Sequence, residues 1–191
     1  MKIAILSFSF LSPEHISRLK KLGDVVEYQT TNNLKDAQER LQGVEVAIGD
    51  CWDVPFKKEL FDLVKDLKYV SLNSTGFDHV DLVSAKENGV QVANVPGFST
   101  EAVAEGTVAL MFSVLRLIPM GNRVSHEKPF QVDPANRSHD RYLGKNVRGS
   151  TLGIIGLGRI GTRLAELAQG LGMNVIAYIQ IAKECLWCKI G

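Results

Sequence analysis

Short apolar runs alternate with stretches of three-to-four-residue apolar spacing over the first hundred residues. Residues 3–8 form a run of the buried-strand kind, residues 15–22 have helical spacing and stop at Gly23, and residues 25–28 are β-branched and alternating. A second helical pattern at 34–41 ends before Gly43, and residues 44–48 read as the next strand. Residues 56–67 are amphipathic, with Phe56, Leu60, Leu63, Val64 and Leu67 on one side and Pro55 just ahead of them. A strand at 69–72, a short helix at 82–87 closed by Asn88 and Gly89, and a fifth strand at 90–95 complete the series. Five strands alternating with helices predict a parallel sheet covered on both faces, a flavodoxin-like doubly wound α/β unit.

A long helix follows at 99–117, with Ser99 as a candidate N-cap, Glu101 in its first turn and Pro119 ending it. Val103, Thr107, Leu110, Met111, Val114 and Leu117 fall on one face, and Val108, Ala109, Phe112 and Leu115 make the other side apolar as well. A helix apolar nearly all round is expected to be buried on both sides, between domains or in a subunit interface. Thr107, a polar group in that run, bonds either to its own helix backbone or to a ligand. Residues 121–148 are polar and aperiodic, a connector. The chain then becomes apolar at 152–155, breaks into G-x-G-x-x-G at Gly156, Gly158 and Gly161, and resumes helical spacing through Arg163, Leu164 and Leu167. This is the strand, turn and helix of a dinucleotide-binding βαβ unit. Gly156 allows the turn, Gly158 lets the backbone approach a pyrophosphate, and Gly161 lets the helix pack closely on the strand, while the helix N-terminus offers N–H groups to phosphates. The next strand is at 174–178. About twenty residues past the first glycine such a unit presents an acidic residue to the adenosine ribose; here Ile179, Gln180, Ile181 and Ala182 stand instead.

Composition narrows the classes. At 191 residues, 45% apolar and 23% charged, the chain is long enough for one globular domain, or one and part of a second. Twenty-two basic against twenty-one acidic residues give no electrostatic case for nucleic acid or an anionic membrane. The N-terminal apolar run is too short for a signal segment, no stretch has the length of a membrane span, and three cysteines make no disulfide framework, so a cytoplasmic, reducing location is expected. No metal site is expected: His126 and His139 have no partner at ligand spacing, and Cys185 and Cys188 have neither a thioredoxin-like context nor two further ligands. Residues 144–151 have the outline of a phosphate loop, but Ser150 stands where the lysine belongs, which excludes an NTPase.

In doubly wound sheets ligands bind outside the carboxyl ends of the strands. Two loops there are small, polar and glycine-bearing: residues 73–81, including Thr75, Gly76, Asp78 and Asp81, and residues 94–99. Thr75 and Gly76 read as binding residues, and the two aspartates as helix-capping or turn residues.

Three blocks in order, 74–81 (STGFDHVD), 94–105 (NVPGFSTEAVAE) and 152–161 (LGIIGLGRIG), make residues 1–178 similar to the D-isomer-specific 2-hydroxyacid dehydrogenase family. The resemblance implies a flavodoxin-like, discontinuous substrate domain begun by residues 1–98, followed at 99–191 by an incomplete Rossmann dinucleotide-binding domain, entered through the helix at 99–118. It implies hydride transfer between NAD or NADP and a small 2-hydroxy or 2-oxo acid, with Thr75 and Gly76 beside the substrate. Thr107, Gly156, Gly158, Arg159, Ile160 and Gly161 are then the cofactor contacts, and a homodimer forms through the helix at 99–118. The family's proton transfer uses a histidine held by a glutamate, and an arginine binds the substrate carboxylate; all three come later in its nucleotide domain. None of the four histidines here matches, so no catalytic residue is assigned and the chain is expected to be inactive alone. Residues 179–191 read as an atypical tail, as a frameshift produces in a shortened family member, leaving an exposed sheet edge after Tyr178. The alternative is a non-catalytic, corepressor-like nucleotide-binding module.

Overall fold

Ile3 and Ile5 alternate with Ala4 and Leu6 along and just past β1 (Lys2–Ile5), so the strand sends buried apolar side chains to both faces of its sheet. The computed structural model describes residues 1–7, 11–50, 52–127, 143–181 and 184–190, and the chain divides into two units, Met1–Phe98 and Ser99–Gly191. In the first unit β1 is joined by β2 (Asp24–Glu27), β3 (Val46–Gly49), β4 (Tyr69–Leu72) and β5 (Gln91–Ala93), all parallel, in the order β2-β1-β3-β4-β5. That order is the flavodoxin-like one. Ala4 lies opposite Ala47, Ala47 opposite Val70 and Val70 opposite Val92, a row that fixes the register of one face. The connections are α1 (Pro13–Lys20), α2 (Leu34–Arg40), α3 (Lys58–Leu63) and α4 (Leu82–Glu87). Ala37, Leu60, Phe61 and Ala85 from α2, α3 and α4 pack with Ala4, Leu6, Ala47, Val70 and Leu72 in the main core. Ile16 and Leu19 of α1 pack on Ile3, Ile5 and Ile48 of the opposite face.

The helices start where local polar chemistry stops the extended chain. Asn33 accepts from the Asp36 N–H at 2.8 Å, and Asp81 from the Ser84 N–H at 3.0 Å, so each caps an orphan donor. The expected helix at 56–67 contracts to α3. Phe56, Val64 and Leu67 are nonetheless buried in the main core, because turn backbone at either end delivers them there without continuing the helix. The run at 3–8 is a strand only to Ile5, and its last residue, Phe8, lies outside the described residues.

The second unit begins with α5 (Thr100–Leu115) and α6 (Ile118–Glu127), whose axes turn by 60° at Leu117, held at φ 54°. Pro119 therefore sits in the first turn of α6, where its missing N–H costs nothing, rather than merely ending the preceding helix. Ser99 occupies the N-cap position of α5 but makes no capping hydrogen bond. Burial on both sides of that helix is not observed. Met111, Phe112 and Leu115 pack into the second unit's core, whereas Val103, Leu110 (70% exposed) and Val114 (71%) form an uncovered stripe, since the unit offers packing partners on one side alone. Among the described residues no single helix is long and apolar enough to cross a membrane.

β6 (Thr151–Ile155), α7 (Arg159–Gly170) and β7 (Asn174–Ile181) form a parallel βαβ unit, and β8 (Glu184–Ile190) lies antiparallel on β7. β7 runs on to Ile181, and β8 pairs with it from Ile181–Glu184 to Val175–Ile190, so the edge expected to be open after Tyr178 is covered on β7 and the outer strands of this sheet are β6 and β8.

Candidate functional site

At the carboxyl ends of β4 and β5 the two loops singled out in sequence are hydrogen-bonded together. Thr75 Oγ1 donates to the Val95 carbonyl at 2.9 Å, Asn94 Nδ2 donates to the Thr75 carbonyl at 2.7 Å, and the Val95 N–H donates to the Ser74 carbonyl at 3.0 Å. Ser74 Oγ donates to the Gly76 carbonyl at 2.9 Å, tightening the first loop. Thr75 thus serves the loop architecture through both its hydroxyl and its carbonyl. Gly76 differs: a Cβ there meets only Asp78 Oδ2 at 4.0 Å, and its backbone has no positive φ. Neither a positive φ nor the space around its Cβ demands glycine at 76. Asp81 is a cap, and the Ser84 N–H and hydroxyl that it accepts hold its carboxyl below the ordinary value.

The glycine turn of the second unit separates in the same way. Gly156, at φ 91°, lies where an L side chain is strained, and its N–H donates to the Tyr178 carbonyl at 2.9 Å. A Cβ on Gly161 would stand 2.2 Å from the Gly156 carbonyl oxygen and 3.4 Å from Ile154 Cγ2, so the α7–β6 approach itself excludes a side chain. Gly158, the N-cap of α7, has nothing within 4 Å of a Cβ and no side-chain cap bond covers the helix start. Arg159 and Ile160 occupy the exposed first turn. An open cradle at a helix N-terminus fits a pyrophosphate. The ribose end fits less well: Ile179 is half-buried against the second unit's core and offers no carboxylate. Deeper in the helix, Arg163 bridges Glu166 and Glu101 at 2.8 Å each, tying α7 to α5, and both partners raise its pKa, Glu166 first.

Thr107 lies on the exposed side of α5, with its Oγ1 donating to the Val103 carbonyl at 2.7 Å. Of the two expectations for it, the backbone bond is the one present, and the hydroxyl oxygen retains acceptor capacity. His126 contacts Ser125 Oγ and the Asn122 carbonyl on α6, and His139 lies outside the described residues. Among the described residues no cluster of three His, Cys, Asp or Glu side chains is placed to hold a metal ion. Asn94, in the second of the loops singled out, joins the two loops, and one residue escaped the sequence reading: Trp52, on the loop after β3, packs against His79 with ring centroids 4.1 Å apart and planes tilted by 55°. An aromatic residue in the polar stretch 50–53 directly after a buried strand is the signal that marks it.

A doubly wound sheet with joined loops at its carboxyl edge, followed by a strand–glycine turn–helix of dinucleotide type, defines an α/β protein of the nucleotide-binding class. The family model for the catalytic domain of D-isomer specific 2-hydroxyacid dehydrogenases matches residues 3–186, running on past Tyr178. The chain belongs to the D-isomer-specific 2-hydroxyacid dehydrogenase family, whose members are oxidoreductases. A hydroxypyruvate reductase of Blautia hydrogenotrophica is 34% identical over 185 residues, covering 93% of this chain and 56% of the relative. A glycerate dehydrogenase of Methylorubrum extorquens is 35% identical over 158 residues, covering 80% and 48%. Among solved structures, an acyclic imino acid reductase in complex with NADPH and D-Arg superposes with a TM-score of 0.82 at 29% identity, covering 97% of this chain and 58% of that one. The chain spans about half the length of the curated relatives it matches.

Proposed function

We propose that this chain serves hydride transfer between a nicotinamide dinucleotide and the 2-position of a small 2-hydroxy or 2-oxo acid, the first unit being the substrate domain and the second a partial nucleotide domain. The observation that carries the reading is the open backbone at Gly158 beside a turn that only glycine fits at Gly156 and Gly161. Gly156, Gly158, Arg159, Ile160 and Gly161 would hold the pyrophosphate, with Thr107 as a further contact, and the bound cofactor supplies hydride donor and acceptor chemistry. Thr75 and Gly76 position the acid, the glycine by leaving room for it. Ile179 neither binds a ribose hydroxyl nor repels a 2′-phosphate, so the cofactor is NAD or NADP with no choice made at this position.

The proton that a ketone oxygen requires has no assigned donor among these residues, so the 191-residue chain binds without turnover. Fluorescence titration with NADH and NADPH, alongside an NADH-oxidation assay with glyoxylate, tests this. Saturable binding of NADH or NADPH with no oxidation is expected; no saturable binding of either at millimolar cofactor sinks the proposal. The exposed stripe of Val103, Leu110 and Val114 supports a homodimer through α5, which gives the uncovered side of that helix a partner. Cysteine usage supports a reducing, cytoplasmic setting.

A further inference from the structure

We infer that Arg163 sets dinucleotide affinity without touching the dinucleotide, by offsetting the negative charge that Glu101 and Glu166 bring to the start of α7. The inference rests on reading the turn at 156–161 as the pyrophosphate cradle. Glu101 suits its own helix, since it lies in the first turn of α5, where the positive end of the helix dipole favours a carboxylate. It is ill placed for an anion held at α7. Arg163 Nε donates to Glu101 Oε2 at 2.8 Å across the two helices, and Arg163 Nη1 donates to Glu166 Oε2 at 2.8 Å along α7. α7 is helical from its first bond, the Thr162 N–H donating to the Gly158 carbonyl at 2.8 Å. Arg163 therefore stands about 7.5 Å along the helix axis from the open backbone at Gly158. Side chains on a helix lean toward its N-terminus, which draws the cluster nearer the cradle.

The Arg163 side chain is 35% exposed and each glutamate more than half exposed, so the ion pairs themselves add little to stability. Their field at the cradle is a separate matter. One positive and two negative charges leave the cluster at −1, within about one Debye length of the cradle at 0.1 M salt. Loss of the arginine makes it −2 and loss of Glu101 makes it 0. Loss of both returns it to −1 with the tie between α5 and α7 gone, while Arg159 in the first turn is unchanged throughout. Charge and mechanical tie thus act in opposite directions in Glu101→Gln: the tie is broken, yet the repulsion of a pyrophosphate falls.

Fluorescence titration of the full chain with NADH, for wild type, Arg163→Gln, Arg163→Lys, Glu101→Gln and the variant carrying both Glu101→Gln and Arg163→Gln, tests the role. At about 20 mM salt each added negative charge should lower affinity about threefold to fivefold. Arg163→Gln then binds more weakly than wild type, Glu101→Gln more tightly, and Arg163→Lys and the double variant within about twofold of wild type. At about 0.5 M salt these differences collapse. A tie that positions α7 mechanically would instead weaken Glu101→Gln and the double variant along with Arg163→Gln. That pattern, or equal affinity of all five proteins at low salt, overturns the charge role and leaves the dinucleotide site standing. Failure of wild type to bind NADH at millimolar concentration refutes the dinucleotide reading of the turn, and the role of Arg163 with it.

Discussion

Replacing Gly161 by alanine puts a methyl group where the fold has no room for one. The added Cβ lies 2.2 Å from the Gly156 carbonyl oxygen and 3.2 Å from its carbonyl carbon, both backbone atoms of a turn pinned by the Gly156–Tyr178 hydrogen bond. Ordinary heavy-atom contacts lie at about 3.5–4.0 Å, so the start of α7 must retreat by about 1 Å or the turn must deform. Overpacking of this kind costs about 1–3 kcal/mol, and each kcal/mol lowers Tm by about 2–4 °C in a chain of this size. Gly158→Ala meets no atom within 4 Å and should change stability by less than about 1 kcal/mol, an N-cap effect. Its methyl group instead enters the open space at the α7 start that is proposed to hold the pyrophosphate. Urea denaturation followed by circular dichroism, with NADH titration of the same samples, separates the two. Gly161→Ala loses stability, whereas Gly158→Ala keeps stability and loses binding. A Gly161→Ala midpoint equal to wild type, or a Gly158→Ala midpoint lowered as far as that of Gly161→Ala, refutes the division of labour between these glycines.

Gly76→Ala, at a position without positive φ, raises stability by about 0.4–1 kcal/mol through the unfolded chain and abolishes glyoxylate binding; calorimetry that shows unchanged glyoxylate affinity argues against ligand approach at Gly76. Leu110→Glu places a charge on the uncovered stripe of α5, so sedimentation should show a monomer with a wild-type circular dichroism spectrum, and an unchanged oligomer contradicts the interface. Asp81, whose carboxyl is held below its ordinary 3.8 by Ser84, contributes stability that is complete above that pH and is lost as pH falls through the lowered folded value. Asp81→Asn should therefore melt with a shallower acid-side decline than wild type, and parallel curves from pH 5 to pH 2 rule the cap out as a source of acid sensitivity.

Elements set by local chemistry were legible in the chain. β4 and α4 fall on the expected residues because an apolar strand ends at a small polar loop and because Asp81 and Asn88-Gly89 punctuate the helix. The parallel, flavodoxin-like class also followed, since repeated β–helix–β connections leave few topologies. What could not be read depends on partners distant in sequence. The apolar side of α5 announces a contact without saying whether this chain provides it, and Leu110 and Val114 show that the described residues do not. β8 was read as a tail because its pairing with β7 gives no motif, only a register. At the site, the glycine spacing identified the turn. Which glycines serve the fold and which are open to a ligand became visible only from the neighbours of Gly76, Gly158 and Gly161. Trp52 was passed over because its ring partner, His79, lies on a different loop.

The central claim is that the turn at 156–161 binds a dinucleotide, and amide-resolved NMR titration of the chain with NADH tests it most directly. The account predicts saturable shifts concentrated on the N–H groups of Gly156 to Thr162. Absence of shifts at millimolar NADH, or saturable shifts that leave those amides unmoved, contradicts it.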